Sequence, residues 1–265
     1  MPELLLEIGC EELPAGFIDP ALAFLEKAVH DALLDARLAH GNVTVDGTPR
    51  RLVVIVDDVA AKQADREEEI TGPAWSIAFD ADDKPTQAGD GFLKKNGRTV
   101  PECVRKESKK GVVVAAIKRE RGADARSVLA PMLDAVIAKI PFKKTMEWGD
   151  GKATHKQVFA RPVQWLLALF GKDVVPVRFA DVVAGNTTRG HRYHAPHAVA
   201  VSSVSEYRRA LERGQVVLSR NERKELIVDR ANELAKEAGG KLLVDEPLLE
   251  IVKNLVEKPF PVLGT

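Results

Sequence analysis

The chain has 265 residues, with 39 Lys and Arg against 39 Asp and Glu, 45% apolar residues and only 5% aromatics. That mix excludes a disordered or collagen-like polymer and leaves room for one large domain or two ordinary ones. Two cysteines, Cys10 and Cys103, are too few for a disulfide framework or a multi-cysteine zinc site. No apolar run approaches the roughly 18–20 residues of a membrane span, and MPELLLEIGCEELP lacks the basic start and long apolar stretch of a signal peptide. A reducing cytoplasm is the expected location.

In chain order, Leu4–Ile8 reads as a short buried strand closed by Gly9. Asp19 and Pro20 suit the N-cap and first position of a helix whose apolar stripe is Leu22, Leu25, Val29, Leu33 and Ala36, with Gly41 as its stop. Val43–Val45 and Leu52–Val56 read as strands, the second preceded by Pro49-Arg50-Arg51. Asp65–Glu69 reads as a charged connector, and Gly72-Pro73 and Lys84-Pro85 punctuate a loop-rich stretch with short helices at best. Val112–Ile117 is β-branched and predicts a strand; Asp124–Ile140 predicts an amphipathic helix with Pro131 inside it. Val158–Phe170 predicts two strands with a bend at Pro162, and Val174–Val183 a further strand. Gly185–Pro196 reads as an ordered basic loop, followed by helices at Val204–Arg213, Glu222–Ala238 and Pro247–Val256. The apolar close, Lys258–Thr265, reads as a strand cut short, as in a piece of a longer protein.

Strands and helices mix without strict alternation, so the expected fold class is α+β in two lobes. The expected organisation is an N-terminal lobe at 1–70, a loop-rich connector at 71–90 and a basic lobe at 91–265. Charge placement supports that division. Residues 1–90 hold 19 acids and 7 bases, a net of −12; residues 91–224 hold 12 acids and 27 bases, a net of +15; residues 225–265 carry a net of −3. The basic block suits a polyanionic partner, unless these are ordinary solvated charges unevenly placed along the chain.

Several function classes have no residues to carry them. There is no Walker loop and no dinucleotide fingerprint, and the glycines at 149, 151, 185 and 190 do not open amphipathic helices. The spacing of His191, His194 and His197 suits neither a strand face nor, beside Pro196, a helix, so metal binding is not expected. Glu11 and Glu12 could do acid–base work only with a partner base or nucleophile; their commoner use is at a helix entrance. The basic residues are more suggestive. Arg50 and Arg51 beside a strand, Lys143 and Lys144 near Trp148, Arg161 five residues after Lys156, and Arg189, His191 and Arg192 beside Tyr193 are the candidate RNA contacts. Guanidinium and ammonium groups meet phosphates, while aromatic rings stack on unpaired bases. The competing reading is a set of structural ion pairs, in which the loop arginines pin carboxylates of the acidic first third.

EIGCEELPAGF at 7–17, TPRRLVVIV at 48–56, MEWG at 146–149, FARPVQWLLALFG at 159–171 and TRGHRYH at 188–194 resemble, in order, the N-terminal region of the β subunit of bacterial tetrameric glycyl-tRNA synthetases, and LVEKPFPVLGT at 255–265 resembles a further segment of that family. The blocks span essentially the whole chain and are specific in combination. Two departures are mild: Glu147 stands where the family often has Arg, which weakens an RNA role for that loop, and Tyr193 where it often has Phe. The resemblance implies an aminoacyl-tRNA synthetase subunit that acts in the cytoplasm. It implies tRNA(Gly) and an α subunit as partners, in an α2β2 heterotetramer, with no membrane role. It places glycyl-adenylate formation, with its ATP and Mg, in the α subunit, so no cofactor and no catalytic residue is expected here. It also implies a likeness to the body and tail of CCA-adding enzymes, ending before the HD-like and anticodon-binding domains of a full β subunit. The alternatives are an assembly module that docks the α subunit or the rest of β without touching RNA, and an editing hydrolase, for which no nucleophile–base pair is evident.

Overall fold

A computed structural model describes residues 1–108, 111–148 and 157–264. Gly149, Gly151 and Lys156 lie outside the described residues. Numbered along the chain, the elements are β1 (Leu4–Cys10), α1 (Ala15–Asp35), β2 (Val43–Thr48), β3 (Arg51–Val56), β4 (Arg66–Ala74), α2 (Trp75–Ala78), α3 (Gln87–Asn96), β5 (Cys103–Ser108), β6 (Gly111–Glu120), α4 (Ala125–Ile137), β7 (Met146–Trp148), β8 (Gln157–Phe159), β9 (Val163–Phe170), β10 (Asp173–Val174), β11 (Arg178–Phe179), β12 (Val182–Val183), β13 (Thr187–Arg189), β14 (Ala198–Ala200), α5 (Val204–Arg213), α6 (Arg220–Glu237) and α7 (Glu246–Val252).

Two compact units result. One joins Met1–Lys62 to Asp124–Thr265; the other is Gln63–Ala123. The first is built on an antiparallel sheet in the order β10-β9-β1-β3-β2. Its central strand, β1, is buried along its whole length, because both faces of the sheet are covered. On one face Leu4, Leu6, Ile8, Leu52, Val54, Val56, Leu166 and Ala168 meet the apolar stripes of α1 and α4. On the other, Leu5, Val53, Ile55, Leu167 and Leu169 pack against Val204, Tyr207 and Leu211 of α5. The period of two along each strand explains how one continuous apolar run serves both layers.

The second unit is a three-stranded antiparallel sheet, β4-β6-β5. Its small core is Ala78, Phe79 and Val114, edged by Trp75, Phe92, Val100 and Cys103.

This division differs from the expected lobes at 1–70 and 91–265. β9 pairs with β1 from Leu4 opposite Phe170 to Gly9 opposite Trp165, with a bulge before Cys10 opposite Val163, so one sheet draws strands from both expected lobes. The charged segment read as a connector is strand β4, whose Glu67–Glu69 face Arg119, Lys118 and Ile117 of β6. The acidic and basic blocks therefore do not coincide with the structural units.

Three further differences have local causes. α1 begins at Ala15, five residues before Pro20, and its N-cap is Pro14. Asp19 does not cap it; its carboxylate accepts hydrogen bonds from Arg220 and Asn254. The single strand expected at Val174–Val183 is three short ones, since Pro176 has no amide hydrogen to donate and Ala180 turns the chain at φ 52°. Within Gly185–Pro196, Thr187–Arg189 pairs with β14 rather than looping freely.

Leu25 of α1 is fully buried in the larger core. Leu25→Ala is expected to cost about 2–5 kcal/mol, read as a lowered urea midpoint; a cost under about 1 kcal/mol would contradict the packing described.

Candidate functional site

The sheet face that meets α5 carries a cluster of charges at one end. Gly9 lies opposite Arg51 on β3 and opposite Trp165 on β9, so the three share one face across three strands. The Trp165 ring folds over Gly9 so closely that a Cβ there would sit 1.9 Å from the indole. Glycine is needed at that point for close approach, not for its dihedral freedom.

Arg51 is fully buried. Its Nη1 donates to Glu7 Oε1 at 2.9 Å and to the Arg189 carbonyl at 2.8 Å. Its Nη2 and Nε donate to Glu257 Oε1 at 2.9 and 3.1 Å. Thr48 donates its hydroxyl to the same Glu257 oxygen at 2.8 Å, and Arg50 Nη1 reaches Glu257 Oε2 at 3.4 Å. A guanidinium fork matched to two carboxylates is the arrangement in which buried charges are tolerated. Burial pushes the Glu7 carboxyl up against the pull of Arg51, while Arg51, despite the opposing effect of its own burial, is held protonated by Glu7 and Glu257. Burial likewise raises the Tyr207 hydroxyl and the Cys10 thiol beside the cluster.

Glu257 comes from the segment after α7, which is sewn to the sheet a second time. Arg223 of α6 donates to the carbonyls of Gly47, Val217, Leu218 and Lys253. Burial brings its pKa down to about 10.

Outside the cluster lies a cationic rim. The guanidiniums of Arg50, Arg51 and Arg189 lie 5.7, 5.6 and 5.2 Å from the Trp165 ring centroid, within cation–π range. Arg192 bonds Glu12 at 2.5 Å and Glu11 at 3.2 Å. Partial burial opposes the Glu12 carboxylate, but its bonds to Arg192 win and hold its pKa below the usual range. Arg161 Nε donates to the Glu12 carbonyl at 3.3 Å. Gly190 runs against Gly214 at the end of α5; a Cβ on Gly190 would meet the Ala195 carbonyl oxygen at 2.4 Å, and the His191 amide donates to the Gly214 carbonyl. Burial lowers the His191 imidazole.

The structure thus separates the sequence-predicted residues. Arg50, Arg161, Arg189, His191 and Arg192 gather on one side of the first unit. Arg51 belongs to the buried cluster and presents nothing to an external phosphate, because its donors are taken up by Glu7, Glu257 and backbone. Arg192 serves, in this state, the intramolecular role: it pins carboxylates of the acidic first third. Lys143 and Lys144 are exposed on the connection between α4 and β7. Trp148 spends its indole N–H on the Phe159 carbonyl at 3.1 Å and packs beside the core rather than standing free. Sequence reasoning missed Glu7, Thr48, Thr188, Trp165 and Glu257. The available signal was a carboxylate inside the apolar run Leu4–Cys10, which is costly unless paired. Among the described residues, no group of three or more His, Cys, Asp or Glu side chains is placed to hold a metal ion, and no helix is long and apolar enough to cross a membrane.

What the fold and site define is a scaffold fixed by a buried ion cluster and rimmed by arginines. The chain belongs to the glycyl-tRNA synthetase beta subunit family, whose model matches residues 4–265. It is 45% identical over 263 residues to the glycine–tRNA ligase beta subunit of Myxococcus xanthus, covering 99% of this chain and 37% of that relative. Similar matches are the beta subunits of Desulfatibacillum aliphaticivorans (43% over 264 residues; 100% and 38%) and Geobacter sp. strain M21 (42% over 263; 99% and 38%). The chain spans well under half the length of the curated relatives it matches.

Arg51→Ala leaves Glu7 buried without its counter-charge and Glu257 with only the longer contact to Arg50. It is expected to destabilise the fold by about 3–5 kcal/mol in chemical denaturation, whereas Lys143→Ala, at an exposed site, is expected to stay within about 0.5 kcal/mol. Equal effects would remove the distinction between cluster and surface.

Proposed function

We propose that this chain is the tRNA-binding N-terminal part of the β subunit of a glycine–tRNA ligase, acting in the cytoplasm within an α2β2 heterotetramer. In this reading the α subunit, with ATP and Mg, charges tRNA(Gly) with glycine, and this part of β holds the RNA. The observation that carries the reading is the exposed Arg189, within cation–π range of Trp165 and grouped with Arg50, Arg161 and Arg192, in a chain of this family. A guanidinium attracted to a buried ring has part of its freedom removed before an RNA phosphate arrives, so less is lost on binding. The covered antiparallel sheet would correspond to the body-and-tail region of CCA-adding enzymes. In this account the chain supports charging without performing it.

The pairing of Arg192 with Glu11 and Glu12 favours a second reading, in which this unit is chiefly an assembly module that docks the α subunit or the rest of β. Titration of the chain with tRNA(Gly) separates the two. RNA binding is expected to weaken steeply between about 50 and 200 mM salt, because each neutralised phosphate releases counterions. Binding of the α subunit with no measurable affinity for tRNA would favour assembly. Glycine-dependent pyrophosphate exchange by the chain freed of α would contradict the non-catalytic assignment.

A further inference from the structure

We infer that the pocket of about 200 Å³ bordered by Glu11, Arg50, Gln164, Arg189 and Arg192 is a seat for one phosphate group, with Arg189 as its fixed donor and Arg192 as a donor held in reserve by Glu11 and Glu12. The inference rests on the tRNA reading only for the source of the phosphate, not for the seat itself.

The size fits a small anion. The volume is well above the roughly 10–15 Å³ that admits one water, yet below the roughly 300–1,000 Å³ of pockets that enclose drug-sized ligands. The donors are unequal in an informative way. Glu7 and Glu257 are engaged by Arg51, and Glu11 and Glu12 by Arg192. Arg189 has no such counter-ion. Among the described residues its guanidinium makes no hydrogen bond or ion pair; it lies 5.2 Å from the Trp165 ring centroid. An exposed guanidinium without a counter-ion keeps its N–H donors available, and their fork matches a phosphate. Arg50 adds a second unmet donor. Its Nη1 makes only long contacts, 3.4 Å to Glu257 and 3.5 Å to the Gly190 carbonyl, and its Nε is buried with no partner. A guanidinium whose present contacts are long gains by turning toward an anion in the pocket it borders. Gln164 supplies a neutral amide at the rim.

Glu11 is the adverse group, since a carboxylate on the wall repels an anion. It is also half of the pair that holds Arg192. An arriving phosphate competes with Glu11 and Glu12 for the same guanidinium, so the carboxylates set a threshold. A ligand of low charge leaves the pair closed, whereas a phosphate flanked by others on a strand supplies the field that opens it. No covalent step is involved; the exchange is one ion pair for another.

The test titrates tRNA(Gly) and, separately, inorganic phosphate against the wild-type chain, Arg189→Ala, Arg189→Lys and the Glu11→Gln/Glu12→Gln double variant, each at two salt concentrations and with its thermal midpoint measured. Arg189→Ala is expected to keep its midpoint and to lower the logarithmic salt slope for tRNA by about 0.7–0.9, one phosphate contact. Arg189→Lys, which keeps the charge and loses the flat fork, is expected to retain the slope and bind more weakly. The double Gln variant is expected to bind about two- to five-fold more tightly, the range of a released surface ion pair. If the wild type binds tRNA, Arg189→Ala keeps its slope and phosphate does not bind, the seat is refuted while the tRNA reading stands. If tRNA does not bind but phosphate binds in an Arg189-dependent way, the tRNA reading fails and the seat belongs to a free phosphate. If neither ligand binds, both fall.

Discussion

A guanidinium cannot enter a protein interior alone, and the whole first unit is arranged so that Arg51 does not have to. Removing an ion from water costs several kcal/mol even after relaxation. Arg51 stands on the sheet face covered by α5, so its counter-charges must come from elements that reach the same point. Glu7 is supplied by the neighbouring strand and Glu257 by a segment more than 200 residues away. The cluster thereby ties together β1, β3, the strand before the basic loop, and the stretch after α7. Apolar packing of α1 and α4 on the opposite face supplies the bulk of the burial, but it does not determine where the C-terminal segment lies. The ion cluster and the carbonyl cage around Arg223 do.

The same constraint shapes the surface. Because Gly9 lets the Trp165 ring lie flat on the sheet, one ring borders a buried arginine, a half-buried one and an exposed one. The buried member is neutralised by carboxylates. The exposed member, Arg189, is held in place by its own backbone, since its carbonyl accepts from Arg51. Interior and rim are thus successive layers of one structure: the interior ion pairing fixes the chain that presents the outer cation. In this arrangement the acidic N-terminal segment is not merely solvated. Glu11 and Glu12 sit ahead of α1 and hold Arg192.

Much of this was legible in the residues. The runs Leu4–Ile8 and Leu52–Val56 gave their strands because they are continuous and β-branched or leucine-rich, and Val204–Arg213 is helical over the span its pattern indicates. Pairing partners were not legible. Nothing local to 163–170 says that it adds to a strand at 4–10, and that long-range register is what undoes a division of the chain into successive lobes. Strand β4 escaped notice because its charges are exposed and paired across the sheet, so it lacks apolar alternation. In the site, Arg50 and Arg51 are chemically the same in sequence. Only the parity of β3, which places Arg51 with Val53 and Ile55, decides which one goes inside, and only the presence of α5 on that face makes the inside buried.

Hydrogen–deuterium exchange on a Glu257→Gln variant tests most directly whether the ion cluster holds these elements together. Val217 donates its amide to the Glu257 carbonyl, and Val201 and His191 are bonded to Asn186 and Gly214 nearby. The account predicts faster exchange at Val217, at His191 and through residues 253–258, with the amides of Leu4–Ile8 in the central strand still protected. Unchanged protection in the C-terminal segment and the basic loop would show that apolar packing alone positions them, and would contradict the central role given to Arg51 and its two carboxylates.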